Sequence, residues 1–186
     1  MNKKTFVMVL ALVLVFGIAV GGTLAVLTAK TSEVKNTFTP SNINITLEET
    51  KPENKTAKMV PGATIEKDPK AKVLAGSEDC WLFVEITKST NFDDFMTYEI
   101  ADGWTPVAGT ENVYARQVKA AQMGTAFSVL KNDQVTVKNT VTKAQMEALT
   151  DDTHPTLSFT AYAVQLMKDN TTEFTAAEAW AEHPTT

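Results

Sequence analysis

The sequence is poor in the residues that carry out most protein chemistry. Among its 186 residues it has one cysteine, two histidines and, at position 116, a single arginine. A lone cysteine excludes an intramolecular disulfide, on which small exported domains often rely. Cys80 begins the apolar run of residues 80–84, which indicates a buried thiol, with an intermolecular bridge as the alternative. The sequence has no HExxH motif and no glycine-rich phosphate loop, so two common catalytic and nucleotide-binding motifs are excluded.

The histidines and acidic residues do not form a recognisable catalytic or metal site. His154 follows Asp151 and Asp152, but such a segment between a helix and a strand is typical of a solvated loop. His183 lies close to the C-terminus and is expected to be mobile. The acidic pairs of the chain lack the regular spacing of a calcium-binding loop. We therefore predict no catalytic residues, no metal and no cofactor.

The N-terminus has the three parts of a secretory signal peptide. Two lysines give it a positive start, residues 6–20 carry no polar side chain, and small residues follow. Cleavage is expected after Ala25, because the small side chains of Thr23 and Ala25 occupy the −3 and −1 places, and Val26 would then begin the mature chain. An uncleaved anchor is the alternative, since about 20 apolar residues can span a bilayer.

Removal of residues 1–25 leaves 161 residues, which suffice for one domain with a sizeable core. The mature chain has 15 basic and 22 acidic residues and therefore a net charge of −7. Such a charge makes nucleic acid and anionic lipid poor partners. We expect a secreted or cell-surface protein that meets the membrane only through its signal peptide, before cleavage.

Strand patterns dominate the mature chain. The predicted strands are residues 43–47, 63–66, 71–74, 80–87, 95–100, 112–118, 125–130, 134–138 and 156–166. The segment 80–87 is apolar on both faces at first, which indicates a central strand. The turn pair 102–103 favours a hairpin after residues 95–100, and the pair 132–133 supplies a later turn. Pro69 indicates a break or an edge position.

Two short segments have helical patterns. Residues 142–149 form one, and residues 175–181 form the other, in which Thr175 and Glu178 have the spacing of a capping box. The sequence thus predicts a mostly β fold: an antiparallel, jelly-roll-like β-sandwich with two short helices, preceded by a signal-peptide helix. The expected parts are a signal peptide (1–25), an extended N-terminal segment (26–42) and the sandwich domain (43–186).

Six tryptophan and tyrosine residues are candidates for a carbohydrate-binding face. They lie in or beside apolar segments, so core packing is the expected role. These residues are Trp81, Trp104, Trp180, Tyr98, Tyr114 and Tyr162.

Several segments resemble a known family of exported proteins. Residues 21–28, 36–39 and 43–47 resemble the start of proteins exported through the signal peptidase SipW. Residues 59–67 are similar to the "PGD…K" segment after the first strand of the TasA and camelysin family. Residues 159–165 and 176–180 are similar to the end of many clostridial members. The chain departs from the pattern at Ala63, where the family commonly has aspartate, and at Val26, where an aromatic residue often follows the alanine.

The resemblance implies a jelly-roll domain, export from a Gram-positive cell through a SipW-like peptidase, and self-association into biofilm-matrix fibres. In such fibres the N-terminal segment of one subunit completes the sheet of the next. Here that donor strand would carry Val26, Val34 and Phe38, which lie on one face of an extended chain. The alternative for this segment is a disordered N-terminal arm.

Three classes of function follow as hypotheses. The first is a non-enzymatic structural protein that forms fibres by strand exchange. The second is a camelysin-like surface metallopeptidase, although no zinc motif carries over to this chain. The third is a monomeric extracellular binding module, which would need an exposed aromatic patch.

Overall fold

The computed structural model describes residues 42–50 and 59–184, all within one compact unit, Pro40–Thr186. Within these ranges, no helix is long and apolar enough to cross a membrane. The strands are β1 (Ile45–Glu48), β2 (Thr64–Glu66), β3 (Lys70–Val73), β4 (Cys80–Lys88), β5 (Met96–Thr97), β6 (Thr105–Pro106), β7 (Val113–Val118), β8 (Ala126–Ser128), β9 (Gln134–Val137) and β10 (Leu157–Gln165). The α-helices of the described residues are α1 (Phe92–Phe95), α2 (Lys143–Glu147) and α3 (Ala176–Ala181).

The strands form three antiparallel sheets, which confirms the predicted mostly β fold. One sheet has four strands in the order β10-β4-β7-β6. The other two have three strands each, in the orders β1-β3-β8 and β2-β9-β5. Strand β4 pairs with β10 on one side and β7 on the other, so the central position predicted for this segment is confirmed.

The four-stranded sheet is apolar on both faces because each face is covered. Leu82 and Val84 of β4 are fully buried against residues of the β1-β3-β8 sheet. Phe83 points the other way and is fully buried beneath α3, where Ala179 and Trp180 pack on it. The run of apolar residues at the start of β4 therefore reflects a sheet with a second sheet on one face and a helix on the other.

Both three-stranded sheets lie on the same face of the four-stranded sheet. Leu157 and Phe159 of β10 pack against the core cluster of the β1-β3-β8 sheet and also against the cluster formed by α1 and the β2-β9-β5 sheet. This arrangement gives the sandwich its two layers, with the apolar residues between them.

The prediction of a strand at residues 95–100 is mostly wrong. Phe95 ends α1, and β5 has only two residues. Phe92 and Phe95 are 1% and 7% exposed, and a helical turn buries both because residues three apart share a face. The hairpin predicted around residues 102–103 is also wrong, since β5 pairs with β9 and β6 pairs with β7.

Two turn predictions have clearer outcomes. The break expected at Pro69 is confirmed, because β2 and β3 on either side of it belong to different sheets. The turn expected at Asn132 and Asp133 is also confirmed. These residues have φ angles of 57° and 52° and connect β8 to β9, which belong to different sheets.

Both predicted helices are present, and α1 is a third that the sequence patterns missed. The capping box of α3 is confirmed: Thr175 Oγ1 accepts from the Glu178 backbone N–H, and the Glu178 carboxylate accepts from the Thr175 backbone N–H. Thr142 and Gln145 form a second capping box at the start of α2.

Candidate functional site

The residues predicted to take part in export and strand exchange lie outside the described part of the chain. They are Thr23, Ala25 and Val26 at the cleavage position, with Val34 and Phe38 further along the expected donor strand. The surface that would accept such a strand belongs to the sandwich domain.

Strand β10 is the longest edge strand of the sheets. The Ser89 backbone N–H donates to the Thr156 carbonyl at 3.0 Å, and the Leu166 N–H donates to the Asp79 carbonyl at 2.9 Å. Because backbone direction alternates along an antiparallel ladder, the even-numbered residues of β10 face β4. The odd-numbered residues 157, 159, 161, 163 and 165 therefore direct their N–H and carbonyl groups outward, where no described residue pairs with them.

Strand β1 has the same arrangement at the edge of its sheet. The Leu74 backbone N–H donates to the Asn44 carbonyl at 2.8 Å, so the even-numbered residues of β1 face β3. Ile45 and Leu47 direct their backbone groups outward, and none of the residues in the described ranges pairs with them there.

These two free edges lie next to each other. Some Cα atoms of β1 come within 8 Å of Cα atoms of β10, although no backbone ladder joins the strands. Paired strands have Cα atoms about 4.5–5.5 Å apart, and stacked sheets lie about 10 Å apart. We call this region the open seam; it comprises Ile45 and Leu47 of β1 and the odd-numbered residues 157–165 of β10.

The core is incompletely covered along the open seam. Five of its side chains pack on the core but stay partly exposed: Ile45, Leu47, Leu157, Phe159 and Ala163. On the inner strand β4, by contrast, Leu82 and Val84 have no exposed surface. Apolar surface left in water at a sheet edge favours association with a further strand.

The opposite side of the sandwich is closed. There β6 contains Pro106, which has no N–H to donate to an added strand. The indole Nε1 of Trp104 donates to the Ser128 carbonyl of β8 at 2.8 Å. The Ala101 backbone N–H donates to the carbonyl of Val129, just after β8, at 2.9 Å. The two sides of the sandwich thus differ in their capacity to accept another strand.

Polar contacts fix the end of β1 at the open seam. Lys67 Nζ lies 2.6 Å from Glu49 Oε1 and 5.7 Å from the ring centre of Phe159. Asp68 accepts from the backbone N–H of Thr50 at 3.2 Å and from the Thr50 hydroxyl. Burial by itself raises the pKa of Asp68, but the bonds from Thr50 and the charge of Lys70 outweigh it, so the pKa is lowered overall.

The two histidines have different environments. His154 is exposed in the turn with Asp151 and Asp152, as expected for a solvated loop. His183, which we expected to be mobile, is instead packed. Its ring stacks on that of Trp180, with the ring centres 3.8 Å apart and an angle of 7° between the ring planes. Among the residues that the structure describes, no group of three or more His, Cys, Asp or Glu side chains is placed to hold a metal ion.

The six aromatic residues pack in the core clusters, which confirms the predicted role. Trp104 is 7% exposed and the other five are half-buried. One face of Trp180 is covered by the His183 ring, and Tyr162 meets its edge at 5.3 Å. The Tyr162 hydroxyl donates to Glu85 at 3.1 Å.

Cys80 has no exposed surface, so the prediction of a buried thiol is confirmed. Burial, and secondarily the charge of Asp79, raises the pKa of Cys80 to about 11. The thiol is therefore protonated at neutral pH, and neither its protonation nor its burial favours an intermolecular disulfide.

Sequence reasoning missed the open seam. The length of β10 is readable from its β-branched and aromatic residues, but the lack of a neighbour is not. The one available signal was Pro106, which marks a closed edge on the opposite side. No family model, curated protein or solved structure matches this chain.

Proposed function

We propose that this chain is an exported, non-enzymatic subunit of the cell surface or extracellular matrix that assembles by strand exchange. In this proposal residues 26–38 of one copy pair with the free edge of β10 on the next copy. The observation that carries the proposal is the open seam, where unpaired backbone and partly exposed core side chains coincide. Export through a SipW-like peptidase and assembly into biofilm fibres belong to the same proposal and come from the family resemblance.

Main-chain geometry supports an added strand at β10. Its nine residues span about 30 Å at roughly 3.4 Å per residue. The segment 26–38 has 13 residues and can extend over about 44 Å by the same measure, so it is long enough to cover this edge. Backbone hydrogen bonds supply affinity in such strand additions, and side-chain pockets supply specificity.

The side chains of the segment match the apolar surface of the seam. Val26, Val34 and Phe38 are separated by even numbers of residues, so an extended chain places them on one face. That face would cover the exposed parts of Leu157 and Phe159. Full burial of one such side chain stabilises a complex by about 1.5–3 kcal/mol before the entropy of ordering is subtracted.

The spacing of the seam limits how the strand can bind. A strand paired with β1 and β10 at once needs these edges about 9.6 Å apart, twice the distance between neighbouring strands. Some Cα atoms of the two strands are closer than 8 Å. The proposed strand therefore pairs with β10 alone, and β1 either moves outward or flanks it.

Electron microscopy of the purified protein tests the proposal. Protein beginning at Val26 should form fibres, while protein beginning at Asn36 should be a folded monomer with the circular dichroism of a β protein. Fibres from the shorter protein, or its failure to fold, would contradict strand exchange by this segment.

Two single substitutions sharpen the test. Val34→Asp places a charge on the face that would meet the core and should reduce fibre yield strongly. Lys35→Asp, one position along, changes the charge on the opposite face and should have a much smaller effect. Equal losses in the two variants would show that charge, and not the apolar face, controls assembly.

A further inference from the structure

The single arginine of the chain has an unusual environment. Arg116 lies on the inner face of β7, and its guanidinium carbon is 3.8 Å from the ring centre of Phe127 and 5.2 Å from that of Trp104. Both aromatic residues belong to the core between the sheets. A guanidinium stacked on rings in this way still has its N–H donors available at its edge.

Apart from these two rings, the described residues offer the guanidinium no partner. No hydrogen bond or ion pair joins the guanidinium to another residue of the ranges 42–50 and 59–184, and its Nε is buried without a partner. The two terminal nitrogens are not among the buried unpaired atoms, so they remain in contact with solvent. Burial lowers the pKa of Arg116, because it disfavours the charged form. A partly desolvated cation without a counter-ion is destabilising unless something binds it.

The surroundings hold the guanidinium in place. Gly103 has φ of +87°, and a Cβ atom at that position would lie 2.7 Å from Arg116 Nη2. Trp104 is fixed in turn by its hydrogen bond to the Ser128 carbonyl. Because residue 103 has no side chain, the guanidinium can occupy the space beside its backbone. The orientation of the guanidinium is therefore set before any ligand binds.

We propose that Arg116 is a binding site for a carboxylate, which its terminal nitrogens hold with two parallel hydrogen bonds. The planar fork of a guanidinium matches the two oxygens of a carboxylate. A phosphate fits less well, because the chain without its predicted signal peptide has a net charge of −7, which disfavours multiply charged anions.

The carboxylate has two sources of the same chemistry, a small organic acid or an acidic side chain of a second copy of this chain. The site lies near β6 and β8, whereas the open seam lies at β10 and β1, the opposite edges of the same two sheets. The binding of a carboxylate here is therefore independent of strand exchange at the seam.

The arginine side-chain signal in a nitrogen–proton correlation spectrum tests this proposal directly, because one arginine gives one Nε–Hε signal. The titration uses sodium acetate, with sodium chloride adjusted to hold the ionic strength constant. We expect a saturable shift of the Arg116 signal and of the Trp104 indole signal. A signal that does not move, or that moves equally with chloride alone, would overturn the proposal.

A variant and a second anion complete the experiment. Arg116→Lys keeps the charge but not the fork, and should weaken acetate binding roughly tenfold, as followed by the Trp104 indole signal. Tighter binding of phosphate than of acetate would refute the carboxylate assignment. A shift that appears on concentrating the protein without acetate identifies a second copy as the source, and a shift that needs acetate identifies a small acid. If the variant does not fold, the titration of the unchanged protein decides the question.

Discussion

At the scale of single residues, His183 shows how a polar residue near a chain end can pack against side chains of the core. Its ring stacks on Trp180 and meets Tyr162 edge-on at 5.1 Å, and its Nδ1 contacts the Trp180 carbonyl oxygen. Trp180 in turn packs on Phe83 of the four-stranded sheet, with the two ring centres 5.3 Å apart. The histidine therefore holds the last turn of α3 on the sheet.

We predict that His183→Ala lowers the free energy of unfolding by about 0.5–1.5 kcal/mol, the usual range for an aromatic pair. The matched control is His154→Ala, which removes the other histidine from an exposed turn and should leave the urea midpoint unchanged. Urea unfolding followed by tryptophan fluorescence measures both variants. Equal midpoints for the two variants would mean that the stacked ring contributes nothing.

Asp68 is the second residue whose environment gives a prediction. Its side chain is 6% exposed and accepts hydrogen bonds from Thr50 while Lys70 lies 3.7 Å away. Asp68→Asn should destabilise the domain at pH 7 by about 1–3 kcal/mol, because charged hydrogen bonds in a buried place are lost. The bonds join the end of β1 to the start of β3, so the loss falls on the β1-β3-β8 sheet.

The pH dependence of this loss follows from the lowered pKa of Asp68. A carboxylate with a lower pKa in the folded than in the unfolded state adds stability above its unfolded pKa of about 3.9, and this stability is lost as the pH falls through the folded pKa. The difference between the unchanged protein and Asp68→Asn should therefore be largest at pH 7 and shrink near pH 2. Asp151→Asn, in an exposed turn, is the control. A difference that stays constant from pH 7 to pH 2 would contradict the ionised Asp68.

At the scale of elements, the backbone groups of β10 point in two directions. The even-numbered residues form hydrogen bonds with β4, and the odd-numbered residues direct their N–H and carbonyl groups outward at the open seam. Proline removes one N–H, so its effect depends on the side that it faces. The neighbours Thr160 and Ala161 therefore form a matched pair of sites.

We predict that Ala161→Pro prevents fibre formation while the domain still folds, because the lost N–H belongs to the free edge. Thr160→Pro removes a bond to the central strand β4, leaves a carbonyl of β4 without its partner, and should destabilise the fold by about 1–3 kcal/mol. Thermal unfolding and electron microscopy of both variants measure the two effects. Normal fibres from a folded Ala161→Pro protein would show that this edge of β10 does not accept a strand.

At the scale of the whole molecule, the proposed function implies an order of events that begins with export. In that proposal, residues 26–38 are free for strand exchange only after the signal peptide has been removed. The mature protein should therefore begin at Val26, because Thr23 and Ala25 are small residues at the places that signal peptidase reads. Mass spectrometry of secreted protein from an exporting host measures the N-terminus. Protein that starts at Met1 and stays in the membrane would instead mean an uncleaved anchor.

Local patterns were enough to predict much of the domain. The central position of β4 followed from its apolar run, and the start of α3 followed from the spacing of Thr175 and Glu178. The burial of Cys80 and the core packing of the aromatic residues followed from their apolar neighbours. Each of these depends on residues adjacent in the chain, which hydrophobic periodicity and capping rules describe.

Other features depended on contacts between distant parts of the chain. Phe95 ends a helix and not a strand, because it packs with Phe92 on a core that β9 completes. The guanidinium of Arg116 stacks on Phe127 only because β7 and β8 belong to facing sheets. The free edge of β10 is the clearest case. The sequence determined a long strand there, but whether a strand has one neighbour or two depends on every other pairing in the sandwich, so only the tertiary structure decided that its outer backbone stays unpaired among the described residues.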